Sequence, residues 1–429
     1  MTMHGRYWLL FLVVATACSS QRYLNVQVHQ AEQDFKDHIG FVLFDPVTRK
    51  TIYDHQGDRY FTPASNTKIF TFYAALQLLG DSVPALHYVQ RNDSLIFWGT
   101  GDPGFLYDNA HGESGVYNFL KAYPAKLFFS SDNFQTEHFG PGWAWGDYNY
   151  DYQVERTPFP IYGNRARVRK VGENFLSPQG IFQYSLTDPA FTKERPEIVR
   201  DIGNNNVKYT TGKKDWPIEW SIPFRYSDEL LVKLLSDTLK REVRLISNPL
   251  PADSKLFYSM APDSLYQEMM QESDNFIAEQ LLLVCADKVS DTLKSEIAID
   301  YVKKKFLFDL PDEPIWMDGS GLSRYNLFTP RSIVRLWEKI YALVPRERLF
   351  RLLAAGGESG TIKNYYRAEK PYVFAKTGTL SNNHCLSGYL VAKTGRTLVF
   401  SWMNNNFAAP IKDVRIRMET VLKKIYESY

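Results

Sequence analysis

Ser65 and Lys68 set a hydroxyl and an amine at i and i+3 in the run Phe61-Thr-Pro-Ala-Ser-Asn-Thr-Lys-Ile-Phe-Thr-Phe-Tyr-Ala-Ala-Leu76. On a helix such side chains share a face with Cβ atoms about 5–6 Å apart, so the amine reaches the serine oxygen across one turn. A serine hydroxyl attacks a carbonyl only when a base takes its proton, and a lysine is that base only when its pKa is drawn down toward the working pH. Burial does this, and so does a second cation nearby. Ile69, Phe70, Phe72, Tyr73, Leu76 and Leu79 follow with almost no polar face, the pattern of a helix sunk in a core, led in by Pro63 and Ala64. A depression of roughly 3 units is about 4 kcal/mol of differential solvation, within reach of full burial. Unpaired N–H groups at the helix start would face an oxyanion forming beside Ser65. The pair predicts acyl transfer without a histidine, although Ser-x-x-Lys alone is a weak signal that more often describes a capped helix start with a surface lysine.

Two further motifs decide between these readings. Ser273-Asp274-Asn275 stands directly before a helical apolar pattern, and Lys376-Thr377-Gly378 stands in the strand-like run Val373–Leu380. With Ser65-x-x-Lys68 they form, in order, the three motifs of penicillin-recognising serine enzymes. Lys393-Thr394-Gly395 repeats the third motif, but it falls at the turn between two strand-like runs, 386–392 and 396–403. The first copy, in the preceding strand, offers its backbone to an extended peptide as an added strand. The function is therefore assigned to Lys376.

The elements that must position these residues come from both ends of the chain. Gly40–Phe44 and Thr51–Asp54 read as a hairpin, and strands at about 373–379, 386–392 and 396–403 precede a helix at about 410–427 whose Val414, Met418, Val421, Leu422 and Ile425 share a face. One antiparallel sheet, covered by that helix and by the Ser65 helix, closes the pattern. Residues 255–350 read as mostly helical, and 81–250 are richer in aromatics, Gly, Pro and short strands.

With these motifs the chain resembles the D-alanyl-D-alanine carboxypeptidase/endopeptidase family of penicillin-binding protein 4 type. Gly101-Asp-Pro-Gly104, Gly142-Trp-Ala-Trp-Gly-Asp147, Asp318-Gly-Ser-Gly-Leu-Ser-Arg324 and Ser387-Gly-Tyr389 extend the resemblance over most of the chain, as does the separation of 208 positions between Ser65 and Ser273. The resemblance implies an α+β fold: a serine β-lactamase/DD-peptidase-like domain over 18–80 and 251–429, with an inserted β-rich domain over 81–250. It implies Ser65 as nucleophile, Lys68 as general base and Ser273 as proton relay to the leaving amine. Asn275 would hold the acyl amide. Lys376, Thr377, Gly378 and Thr379 would bind the substrate's terminal carboxylate, with the N–H groups of Ser65 and Thr379 as oxyanion hole. Lys376, as a second cation, would also depress the pKa of Lys68. Asp147 would meet the free amine of a diaminopimelate side chain, Asp318 and Arg324 would support a loop near the site, and Glu279 would make a buried hydrogen bond. The implied substrates are peptidoglycan stem peptides, and β-lactams would trap Ser65. The alternatives are a β-lactamase-like serine hydrolase and a catalytically silent peptidoglycan-binding lipoprotein.

Met1–Arg6, the apolar run Tyr7–Ala15 and Ala15-Thr-Ala-Cys18 read as a secretory signal ending in a lipobox-like cysteine. The expectation is removal of residues 1–17, a lipid on Cys18 and a periplasmic, membrane-anchored protein. Cys285 and Cys385 then remain, and whether they pair stays open. A net charge of +2, with both signs interspersed, gives no footprint for nucleic acid. The 8 histidines show no His-Glu-x-x-His spacing, and no Cys-x-x-Cys, Gly-x-Ser-x-Gly or phosphate-binding glycine loop occurs, so no metal or cofactor is called for. Arg165, Arg167 and Arg169 alternate as on a solvated strand face.

Overall fold

A helix over 21–35 (α1) leads into the hairpin β1 (His38–Asp45) and β2 (Lys50–His55). A 3-10 turn, Ala64–Thr67, then runs into α2 (Lys68–Leu78). The middle of the chain forms β3 (Pro84–Arg91), β4 (Ser94–Gly99), α3 (Gly115–Ala122), β5 (Lys126–Phe129), β6 (Arg165–Val171), β7 (Asn174–Leu176), β8 (Gln183–Leu186), β9 (Glu197–Arg200), β10 (Asn206–Thr210), β11 (Trp220–Pro223), α4 (Asp228–Leu239), β12 (Val243–Leu245) and β13 (Lys255–Tyr258). After it come α5 (Asp263–Gln267), a π-turn over Glu268–Glu272, α6 (Asn275–Ser290), α7 (Ser295–Phe306), α8 (Pro330–Leu343), α9 (Arg346–Leu352), β14 (Ala354–Ala355), β15 (Val373–Leu380), β16 (Asn383–Val391), β17 (Thr397–Asn405) and α10 (Ile411–Ser428). The computed structural model describes residues 21–110, 115–171, 174–177, 180–187, 193–214 and 219–429. Residues 1–17 and Cys18 lie outside the described residues, and among those described no helix is long and apolar enough to cross a membrane.

The sheet that carries the third motif is antiparallel in the order β14-β15-β16-β17-β1-β2, so strands from the two ends of the chain meet at β17 and β1. One face packs on α1 and α10, where Val414, Met418, Val421, Leu422 and Ile425 are all buried against residues such as Leu43, Phe400 and Trp402. At about 1.5–3 kcal/mol for each large apolar side chain removed from water, that stripe holds α10 in place. The other face packs on α8 and on the turn before α2, and α2 and α6 continue the same core. α2 is buried on every side from Lys68 to Ala75, as its sequence without a polar face requires.

The middle of the chain has its own core, built from residues between Ala85 and Val243. It supports a five-stranded sheet, β12-β5-β4-β3-β13, and two three-stranded sheets, β11-β6-β7 and β8-β10-β9. Residues 255–258, read from sequence as the start of a helical region, form β13, because Phe257 stacks on Phe119 at 4.4 Å and the strand completes the edge beside β3. This sheet therefore runs past residue 250. α6 forms the seam with the rest of the molecule. Gln280 donates to the carbonyls of Gly101 (2.8 Å) and Thr157 (2.9 Å), and His87 meets Asp287 at 2.9 Å, all buried. Cys285 and Cys385 are both buried free thiols.

Candidate active site

Ser65 sits inside the 3-10 turn that opens α2, and Lys68 is the first residue of α2 proper. The Lys68 side chain is fully buried. Its Nζ lies 3.0 Å from Ser65 Oγ and donates to Asn275 Oδ1 (2.5 Å) and the Ser320 carbonyl (2.7 Å). Burial pulls its pKa from 10.5 down to about 8, against the opposing pull of the Asp318, Glu279 and Asp274 carboxylates. The expectation of a desolvated amine against the serine is met by this geometry.

The second motif turns between the π-turn and α6. Ser273 takes a left-handed conformation, φ 67°, and Asp274 caps α6 by accepting from Ile277 N at 2.9 Å. Asn275 Nδ2 donates to the Tyr152 carbonyl at 2.8 Å, which leaves its Oδ1 to face Lys68. Ser273 lines the same cavity as Ser65, but among the described residues it makes no hydrogen bond to Lys68. The lysine's link to this motif runs through Asn275.

The third motif lies on β15, alongside Ser65. A Cβ on Gly378 would fall 2.4 Å from the Pro63 carbonyl oxygen and 2.9 Å from Ser65 N, so only glycine lets strand and turn approach this closely. Across the turn, Gly321 (φ 87°) comes equally near, with a Cβ there falling 1.9 Å from the Ala64 carbonyl oxygen. β14 pairs with Phe374 and Ala375, so among the described residues β15 from Lys376 onward has no strand on that side. Thr377 Oγ1 lies 2.7 Å from Thr361 Oγ1, and the exposed Thr379 meets His384 Nδ1 at 2.8 Å. Lys376 is fully buried, and its Nζ donates to the Thr377 carbonyl at 2.9 Å. Burial, and then the charge on Lys68, push its pKa well below the ordinary lysine value. Burial is the leading cause at both lysines, and the like charge of Lys68 adds to it at Lys376. The second copy, Lys393-Thr394-Gly395, sits in the turn between β16 and β17 against the end of α10, with Lys393 N donating to the Tyr426 carbonyl.

Ser65, Ser273, Asn275 and Thr379 line one cavity of about 810 Å³, with Asp147 and Arg324 also in its wall. Arg324 is exposed and faces this cavity instead of bracing a loop. The loop is held by Asp318, which is fully buried. Its carboxylate accepts from Gly321 N (2.9 Å), Ser323 N (2.6 Å), Asn326 Nδ2 (2.7 Å) and Trp143 Nε1 (2.9 Å). Glu279 accepts from Ser320 N at 2.7 Å and fixes the residue whose carbonyl meets Lys68; burial raises its pKa to about 7. Sequence reasoning missed Tyr107 and Arg165, which reach Asp274 from the middle of the chain. The Arg165 side chain is 14% exposed, whereas Arg167 and Arg169 stay open to solvent. Alternation along a strand cannot tell which of its outward residues meets a distant partner.

The profile of the D-Ala-D-Ala carboxypeptidase 3 (S13) family matches residues 23–425. The chain is 23% identical to the D-alanyl-D-alanine carboxypeptidase DacB of Haemophilus influenzae, over 92% of this chain and 91% of that protein. Its fold matches the crystal structure of penicillin binding protein 4 from Haemophilus influenzae with a TM-score of 0.77 at 21% identity, covering 93% of this chain and 99% of that one. The same protein complexed with a novel β-lactam matches with a TM-score of 0.70 at 20% identity, over 93% and 98% of the two chains.

Proposed function

The chain belongs to the D-Ala-D-Ala carboxypeptidase 3 (S13) family, and on that footing we propose that it removes terminal D-alanine from peptidoglycan stem peptides through an acyl-enzyme on Ser65. The observation that carries this reading is the buried Lys68 amine, 3.0 Å from the Ser65 oxygen in the wall of an open cavity. Lys68 takes the Ser65 proton as Oγ bonds to the carbonyl carbon of the D-Ala-D-Ala amide. The oxyanion meets the N–H groups of Ser65 and Thr379. The C–N bond then breaks, D-alanine leaves with the proton that Lys68 took, passed on through the Ser273 hydroxyl while Asn275 holds the acyl amide, and water hydrolyses the ester by the same steps in reverse. The free side of β15 takes the substrate backbone as an added strand, and the Thr377 and Thr379 hydroxyls with Lys376 receive the terminal carboxylate. That carboxylate supplies the charge that makes a protonated Lys376 favourable in the complex. Asp147 offers a carboxylate to an amine on the stem peptide. A β-lactam acylates Ser65 but keeps its leaving group tethered.

Release of D-alanine from a pentapeptide muropeptide tests the reading, and its pH dependence tests the base. Since Lys68 must be neutral to act, about a tenth of it is competent one unit below a pKa of about 8. Acylation by a labelled penicillin should therefore climb about tenfold per pH unit toward pH 8 and level off above it. A flat profile across that range removes Lys68 from the role.

Export and a lipid on Cys18, after removal of residues 1–17, suit a protein whose substrate is the cell wall. Labelled palmitate should enter the wild-type protein and not Cys18→Ser; equal labelling, or none in either, discards the anchor.

A further inference from the structure

Asp274 is held from two sides. One carboxylate oxygen caps α6 through Ile277 N; the other accepts from the Tyr107 hydroxyl and lies 3.4 Å from Arg165 Nη2. Both partners belong to the middle of the chain, Tyr107 in the loop after β4 and Arg165 at the start of β6, 109 positions from Asp274. The Tyr107 hydroxyl itself accepts from Arg165 and, at 3.0 Å, from Asn109, so its O–H is polarised toward the carboxylate. Burial raises the Tyr107 pKa, and the nearby Asp274 charge raises it further, which keeps the phenol a donor. Its ring stands edge-on to Phe276 at 5.3 Å, and the Arg165 guanidinium lies 5.2 Å from the ring centre.

The residues on either side of Asp274 need such an anchor. Ser273 occupies a backbone region that a residue with a Cβ enters only when its surroundings hold it there. Asn275 must present Oδ1 to Lys68, and the same middle segment fixes its amide through the Tyr152 carbonyl. We propose that Tyr107 and Arg165 are positioning residues for acylation: by gripping Asp274 they keep the Ser273-Asp274-Asn275 turn in the shape that points Ser273 into the cavity and Asn275 at Lys68. The proposal rests on the acyl-enzyme reading above. It makes the middle of the chain a working part of the reaction centre as well as a wall of the cleft. Neither residue touches the substrate cavity, so the effect is on the chemical step and not on substrate binding.

The test uses Tyr107→Phe, which keeps the ring on Phe276 and removes only the hydroxyl, together with Arg165→Met and Arg165→Lys. Each is compared with the wild-type chain in thermal unfolding, in labelled-penicillin acylation, and in kcat and KM for a D-Ala-D-Ala peptide. A misplacement of about 1 Å can cost on the order of 10²-fold, and loss of one of two anchors should cost about tenfold in kcat. The expected result is that fall with KM within about twofold and Tm unchanged, and partial recovery in Arg165→Lys relative to Arg165→Met. Unchanged kcat in folded Tyr107→Phe and Arg165→Met overturns the proposal, as does a fall that appears in KM alone. If Tyr107→Phe does not fold, the two Arg165 variants decide, and equal rates in them overturn it. Wild-type protein that fails to acylate at all refutes the peptidase reading instead, so the two failures are distinguishable.

Discussion

Ser65→Ala should yield a folded protein that takes no penicillin label and releases no D-alanine. The Ser65 side chain meets Lys68 Nζ and lines the cavity, while the turn around it is fixed by other contacts: Asn66 N bonds to the Pro63 carbonyl, and the Asn66 amide accepts from Ser387 Oγ at 2.9 Å. Removing one oxygen from this partly open position leaves those contacts alone, so stability should stay within about 1 kcal/mol of wild type. Activity should have no such reserve, because Ser65 Oγ is the cavity hydroxyl that Lys68 Nζ meets. Loss of a serine nucleophile costs on the order of 10⁶-fold in kcat. Tm and label incorporation, measured on the same preparation, separate the two effects. Label retained by the variant at the wild-type rate would place the nucleophile elsewhere.

Lys68→Met should move activity and stability in opposite directions. Without the base, acylation falls by about 10²–10⁴. The fold, by contrast, sheds the need to bury an ammonium. The drop in pKa from 10.5 to about 8 means that charging Lys68 in the folded state costs about 3 kcal/mol more than in the unfolded chain. A folded pKa below the unfolded one makes the penalty largest at low pH, fully present below about 8, and absent above the unfolded value near 10.5. Methionine forfeits the bonds to Asn275 and Ser320, which offsets part of this gain. Denaturant unfolding at neutral pH should therefore show Lys68→Met to be at least as stable as wild type, with the difference shrinking as pH rises toward 10. A variant several kcal/mol less stable contradicts the idea that burial depresses this amine.

What the sequence disclosed was whatever follows from local period and motif order. The apolar run after Lys68, the five residues on one face of α10 and the strands β15 to β17 are legible because burial of a helix or strand face leaves a 3.6- or two-residue rhythm. The two copies of Lys-Thr-Gly could be told apart because one sits within a strand and the other at a hairpin turn. The rest depended on long-range contact. Nothing near Arg165 in sequence shows that its side chain turns inward to Asp274 while Arg167 pairs with Asp108 at the surface. The surroundings of Lys68 likewise come from Asp318, Glu279, Asp274 and Ser320 on separate elements. β13 carries four residues whose pairing with β3 is set by a stacking partner far upstream in the chain.

The meeting of β1 with β17 bears on when this enzyme comes into being. A growing polypeptide has made Ser65, Lys68 and Asn275 long before β15, the strand that closes the cleft, and β17, the strand to which β1 is stitched, leave the ribosome. Until then the hairpin of β1 and β2 lacks the strand that β1 pairs with, and Ser65 lacks the strand that packs against its turn. A nascent fragment cut short before Val373 thus holds Ser65, Lys68 and Asn275 without the strand that completes their cavity, and one cut short before Thr397 leaves β1 without its partner.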